Sequence, residues 1–101
     1  MLKLLIHEET RQILGVHAIG AGATELIHIG QMAIAFKATV DYFIHSVFNY
    51  PTLAECYKVA ALNGSNKLRH LWQCRRESPE ITEDTDLSQL WPGRELEITV
   101  G

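Results

Sequence analysis

Cysteine is scarce in this chain of 101 residues, and its two copies, Cys56 and Cys74, have neither CxxC spacing nor the number that a disulfide framework needs. We therefore expect two reduced thiols in a cytoplasmic protein. No apolar run approaches the roughly 20 residues of a membrane span, and residues 1–6 are too few for a signal peptide. The formal net charge of -3 argues against a nucleic-acid partner, because phosphate contacts need a basic surface. We expect neither a membrane nor a nucleic acid as a partner.

The sequence also lacks the common motifs of phosphate-binding and nucleophilic sites. Gly20-Ala21-Gly22 has no third glycine to complete GxGxxG, nothing matches a P-loop, and no serine lies in a nucleophile elbow. His7 and His17 could face each other across a hairpin, but no histidine pair has i,i+4 spacing, and no cluster of cysteines or carboxylates accompanies them. We therefore predict no metal site, and we expect any chemistry to depend on a partner.

What the sequence does contain begins with a β-hairpin. Residues 2–7 and 12–19 are apolar runs of the β type, and the polar residues 8–11 separate them. Both runs are more apolar than strict alternation allows, so we expect both faces of the hairpin to be covered. Near the end of the chain, residues 95–100 alternate between polar and apolar, which predicts a half-buried strand.

Helical spacing occupies the middle of the chain. Residues 24–38 are apolar around much of the helix circumference, so we expect burial on more than one side, by a second domain or subunit. Residues 39–44 predict a short helical turn that begins at a threonine cap. Residues 51–64 predict a third helix, which has Tyr57 at core spacing and stops at an Asn-Gly pair. Residues 65–76 predict a further helix.

These elements predict a small α+β domain, with an antiparallel hairpin or sheet packed against two or three α-helices. The acidic, apolar-poor residues 77–86 are typical of a linker, and Trp91-Pro92-Gly93 predicts a turn. We divide the chain into a domain over residues 1–68 and a C-terminal extension over residues 69–101, which is partly linker and ends in the possible final strand.

The most informative stretch is residues 48–55, Phe-Asn-Tyr-Pro-Thr-Leu-Ala-Glu. Pro51 suits the first turn of a helix and restricts the preceding Tyr50 to an extended conformation. Thr52 and Glu55 have the spacing of a capping box, and a carboxylate in the first turn is favoured by the helix dipole. We expect Tyr50 and Glu55 to lie near each other at this helix N-terminus.

Three segments in order carry a resemblance to a known family: residues 13–20 (ILGVHAIG), 25–31 (ELIHIGQ) and 51–55 (PTLAE). Together they resemble the C-terminal dimerisation domain of the FAD-dependent pyridine nucleotide-disulfide oxidoreductases. Residues 48–55, followed by residues 60–64 (AALNG), are most similar to the subfamily of soluble, Si-specific pyridine nucleotide transhydrogenases. The resemblance covers about residues 1–68 and implies a fragment that lacks the flavin and nicotinamide domains and the first strands of the usual domain.

The resemblance implies a role for the 48–55 stretch. In the disulfide reductases of this family the segment is His-Pro-Thr, and the histidine serves as acid/base beside the partner subunit's flavin while a glutamate orients it. Tyr50 stands at the position of that histidine and Glu55 at that of the glutamate, so the resemblance implies a homodimer in which Tyr50 and Pro51 lie near the partner's FAD. A phenol is a poor proton acceptor at neutral pH. Tyr50 therefore favours hydride transfer between NADPH and NAD⁺ over reduction of lipoamide or glutathione.

The resemblance also implies which cofactors act and where they bind. FAD and NAD(P) would be held by the missing domains of the same polypeptide, and we expect the fragment alone to bind neither. Two alternatives stay open. One is a dihydrolipoamide dehydrogenase-like enzyme, which Tyr50 disfavours, and the other is a non-catalytic homodimeric interaction module.

Overall fold

The computed structural model describes residues 1–77 and the strand at 95–100, where Ile98 is the one residue whose side chain is described. The elements are β1 (Leu2–His7), β2 (Ile13–Ala18), α1 (Ala23–Ala35), α2 (Val40–His45), α3 (Glu55–Glu77) and β3 (Glu95–Val100). The strands form an antiparallel sheet in the order β2-β1-β3. The predicted α+β fold is confirmed, whereas the predicted turn at 91–93 and all but the first residue of the linker lie outside the described residues.

The β1–β2 hairpin is confirmed, and its polar turn is closed by Arg11, which has a positive φ of 63°. A bulge after Leu5 shifts the register, so that Ile6 lies opposite Ile13. His7 and His17, which could have faced each other across the hairpin, do not do so, because the strand register places Lys3 opposite His17. His7 Nδ1 instead accepts hydrogen bonds from two backbone N–H groups of the turn.

The core lies between the sheet and the helices. Alternate residues of β1 point into it, and the intervening residues are half-buried, so the second face of the hairpin is only partly covered in this chain. The largest fully buried side chains are Tyr57, Phe43, Leu2, Leu4, Ile6, Ile13, Leu68, Ile98 and Val40.

Two glycines with positive φ, Gly20 and Gly22, turn the chain from β2 into α1. Within the described chain only Gly30 and Ala33 of α1 are buried, so the predicted burial on more than one side is not met by the domain itself. The helix ends at Ala35, earlier than predicted. Leu26 and Ile29 are half-buried against the core, whereas Met32 and Ile34 are exposed, where a second molecule can reach them.

A single helix, α3, replaces the two helices predicted over 51–76. The helix begins at Glu55 rather than at Pro51, and it passes through Gly64 without interruption. A Cβ at Gly64 would lie 2.5 Å from Ile6 Cδ1, so this glycine permits close packing on β1 and does not end the helix. The predicted stop was wrong because this tertiary contact outweighs the local Asn-Gly signal.

Ion pairs fix the hairpin turn to the helices. Arg11 donates from Nε and Nη2 to the Asp41 carboxylate at 3.0 and 2.9 Å, and from Nη2 to Ser65 Oγ at 3.1 Å. The hydrogen bond from Arg11 lowers the pKa of Asp41. Farther along α3, Arg75 Nη2 lies 3.4 Å from Glu8 Oε1, so the last turns of the helix are also tied to the hairpin.

A buried phenol joins α3 to α1. Tyr57 is fully buried, and its Oη accepts a hydrogen bond from the Gly30 N–H at 3.1 Å and donates one to the Leu26 carbonyl. Burial raises the pKa of Tyr57 above its ordinary value. The phenol thus takes part in the backbone hydrogen bonding of α1.

Gly30→Ala is expected to destabilise the domain by about 1–3 kcal/mol. A Cβ at Gly30 would lie 2.6 Å from Val16 Cγ2 and 2.8 Å from Val16 Cβ, and this β-branched side chain yields only if the backbone moves. Without that contact, alanine in a helix interior would stabilise by about 1 kcal/mol. Urea unfolding followed by circular dichroism measures the sign. The control Gln31→Ala, at an exposed position, should stay within about 0.5 kcal/mol, and a stabilised Gly30→Ala would contradict the close contact.

Tyr57→Phe is expected to lower the free energy of unfolding by about 1–3 kcal/mol, because it removes the two hydrogen bonds that the phenol makes with the Gly30 N–H and the Leu26 carbonyl. The matched control is Tyr42→Phe, which removes the hydroxyl of an exposed tyrosine. Alkaline pH adds a second readout. The pKa of Tyr57 is higher in the folded chain than in the unfolded chain. The contribution of the phenol to the free energy of unfolding is therefore fully present below the pKa of the unfolded chain, and it is lost as the pH rises through the pKa of the folded chain. Equal stability of the two variants at neutral pH would rule out the bridging role.

Candidate functional site

Tyr50 and Pro51 lie in the connection between α2 and α3 and are joined by a cis peptide bond. The Tyr50 side chain is 87% exposed, the second most exposed among the large hydrophobic residues that the structure describes. Pro51 is exposed as well. These two residues therefore point away from the core and are accessible to another surface.

The start of α3 forms one half of the predicted capping box. The Thr52 N–H donates to Glu55 Oε2 at 3.4 Å, whereas the Thr52 hydroxyl donates to the Asn49 carbonyl at 2.7 Å. Among the hydrogen bonds of the described residues, none joins Tyr50 to Glu55. Glu55 thus holds the turn, and the Tyr50 hydroxyl keeps its hydrogen-bonding capacity for a group outside this domain.

Two contacts hold the residues that precede Tyr50. On the α2 side, the Phe48 ring packs 6.3 Å from the Phe43 ring, which in turn lies 5.0 Å from Tyr57 in the core. From α3, Lys58 Nζ donates to the Ser46 carbonyl at 2.9 Å. These contacts position the exposed tyrosine without burying it.

A second feature of the surface is an apolar groove of about 490 Å³ between α1 and α2, which we call the α1–α2 groove. Its lining includes Ile29, Met32, Phe36, Ala38, Tyr42 and Phe43. The side chains of Met32 and Phe36 are 65% and 80% exposed, so much of this apolar surface meets water in the single chain. The composition of residues 24–38 predicted an excess of apolar surface, but the contribution of Tyr42 was missed.

The remaining polar groups of the described residues do not assemble into a metal-binding cluster. Within residues 1–77 and 95–100, no three histidine, cysteine, aspartate or glutamate side chains are placed to hold a metal ion. Cys56 and Cys74 are both free. Along the same residues, no helix combines the length and apolarity that crossing a bilayer requires. Among the described residues, the groove and the exposed Tyr50 present apolar and aromatic surface that a partner could contact.

Comparison with known proteins identifies relatives of this arrangement. The family described as pyridine nucleotide-disulphide oxidoreductase, dimerisation domain, matches residues 1–61. A soluble pyridine nucleotide transhydrogenase from Sodalis glossinidius is 57% identical over 70 residues, which cover 66% of this chain and 15% of the relative. Proteins of the same name from Photobacterium profundum and Pectobacterium carotovorum are each 56% identical over 66% of this chain, covering 15% and 47% of the relative. No solved structure matches the chain.

The family match spans β1, β2, α1, α2 and the start of α3, and so contains both the α1–α2 groove and the stretch from Tyr50 to Glu55. The chain covers only about 15% of the length of the Sodalis and Photobacterium relatives. The resemblance noted in the sequence is confirmed by this match. This chain belongs to the dimerisation-domain family of the pyridine nucleotide-disulphide oxidoreductases.

Proposed function

We propose that this chain serves as the dimerisation domain of an FAD-dependent pyridine nucleotide transhydrogenase and completes the flavin site of a partner subunit. The observation that carries the proposal is the 56–57% identity to proteins named soluble pyridine nucleotide transhydrogenase. In this proposal the other domains of the polypeptide hold FAD and NAD(P), and the reaction transfers hydride from NADPH to NAD⁺. A dihydrolipoamide dehydrogenase-like activity is disfavoured, because a tyrosine stands where a proton-accepting histidine is needed.

Tyr50 and Pro51 are the residues we assign to the partner's flavin. Their exposure suits contact with a group bound elsewhere, and the described residues contain no glycine-rich loop that would cradle the phosphates of FAD within this chain. Bound FAD supplies the hydride chemistry. In our assignment Tyr50 fills space beside it and offers one hydrogen bond, and Glu55 keeps the turn in place through Thr52.

The α1–α2 groove is the surface we assign to the second copy of the chain. The family match identifies a domain whose role is dimerisation, and the groove exposes Met32 and Phe36. Burial of such side chains stabilises association by roughly 25 cal/mol per Å² of apolar surface removed from water. A two-fold contact would place the same groove on both subunits.

Met32→Lys is expected to shift the chain from dimer to monomer, because it places a charge on the apolar groove. Sedimentation velocity or light scattering at micromolar concentration measures the change. Val59→Lys is the matched control, since Val59 is a helical side chain that is 51% exposed and lies outside the groove. Equal association of both variants, or a wild-type chain that stays monomeric at every concentration tested, would contradict the assignment of the groove.

The catalytic part of the proposal is tested in a chimera in which the matching segment of the Sodalis glossinidius relative is replaced by that of this chain. We expect the chimera to bind FAD, dimerise and transfer hydride from NADPH to thio-NAD⁺. Tyr50→Phe in this chimera should keep most of the turnover, since the loss of one hydrogen bond costs about 1 kcal/mol, less than a tenfold effect on rate.

Two outcomes would contradict this reading. A flavin-loaded, dimeric chimera without hydride transfer would overturn the proposed function. A loss of several hundredfold in Tyr50→Phe alone would instead show that the hydroxyl takes part in the reaction, and the passive role would be wrong. Tyr50→His should not produce lipoamide reduction, because the redox-active thiols of that reaction are supplied by another domain.

A further inference from the structure

The outer edge of β1 is covered by a strand from outside the family match. The match ends at residue 61, within α3, whereas β3 spans Glu95–Val100. β3 pairs antiparallel with β1 over six residues, from Leu2 opposite Val100 to His7 opposite Glu95. The strands that lie inside the match are only β1 and β2, and β2 covers the other edge of β1. The sheet of the matched part alone would therefore expose the backbone groups of β1 along one side.

The helix beneath this edge is shaped to receive a large aliphatic side chain. Ile98 is fully buried in the core and lies directly opposite Leu4 on the neighbouring strand β1. The α3 residue beneath it is Gly64, where a Cβ would lie 3.1 Å from Ile98 Cγ1 and 2.5 Å from Ile6 Cδ1. A side chain on α3 would occupy this space, so the glycine leaves room for the isoleucine of the incoming strand.

We propose that the outer edge of β1, together with the hollow over Gly64, is a binding site for an extended antiparallel peptide with a large aliphatic residue opposite Leu4, and that residues 95–100 occupy this site in cis. Main-chain hydrogen bonds along β1 supply affinity for any extended segment, and the hollow selects the aliphatic residue. This inference is independent of the proposed hydride transfer, because it concerns only how the sheet is completed.

Occupation in cis determines how the site behaves toward free peptide. Residues 78–94 connect α3 to β3, and a segment tethered by a connection of this order has an effective concentration in the millimolar range. A free peptide at micromolar concentration therefore cannot displace β3. Removal of the Ile98 contact should release the strand and open the site.

The test uses the full chain and a fluorescent peptide of residues 95–100, with binding measured by fluorescence anisotropy. We expect the Ile98→Asp chain to bind this peptide at least about tenfold more tightly than the wild-type chain, in which the site is already filled. A peptide with aspartate at the Ile98 position is the matched control and should bind neither chain. Equal binding of both peptides to the Ile98→Asp chain, or equal binding of the wild-type peptide to both chains, would overturn the proposal.

Two measurements keep the test decisive if Ile98→Asp unfolds the chain. Addition of the wild-type peptide must then restore the helical circular dichroism signal, and failure to do so overturns the proposal.

In a chain with Cys56 and Cys74 replaced by serine, Leu5→Cys and Glu97→Cys should form a disulfide within one chain under mild oxidation, because these residues are direct cross-strand partners. The offset pair Leu5→Cys and Thr99→Cys should cross-link less readily. A cross-link that forms between chains would contradict occupation in cis.

Discussion

The structure depends on the close approach of two helix backbones to the sheet. At Gly30 the backbone of α1 lies directly on Val16 of β2, and at Gly64 the backbone of α3 lies on Ile6 of β1. Side chains at these two positions would push the helices outward. Because both helices are held at this short distance, a single phenol, that of Tyr57, reaches from one to the other and satisfies polar groups inside α1.

Much of the architecture was predictable because its signals are local. Two apolar runs around a polar turn specify the hairpin, the alternation in residues 95–100 specifies a strand, and a threonine before residues 40–45 marks the short helix. Gly64 failed as a signal because an Asn-Gly pair has two meanings. As a local feature it ends a helix, but in contact with a strand it permits close packing. Only the position of Ile6, distant in sequence, decides between these meanings.

The candidate site was predictable in part for a similar reason. The spacing of Thr52 and Glu55 identified their contact, since that contact depends on adjacent turns of one segment. The exposure of Tyr50 was not predictable from local sequence, because it depends on how the connection is held by Phe48 and Lys58. The second wall of the α1–α2 groove likewise depends on where α2 lies.

The groove and Tyr50 have different roles in the proposed dimer: the groove supplies affinity, and the Tyr50 hydroxyl offers one hydrogen bond. Apolar surface is suited to supply affinity, because burial is favourable without strict geometry, whereas one exposed hydroxyl contributes only about 1 kcal/mol. The hydroxyl of Tyr50 alone therefore cannot hold a partner in place. It can act on a neighbouring group only after a larger surface has fixed the geometry. The aromatic contacts of Phe43 join the two features, since this side chain lines the groove and also packs on Phe48 next to the Tyr50 segment. A subunit seated in the groove would therefore find Tyr50 in a defined position, so that association and the completion of a site are consequences of the same core.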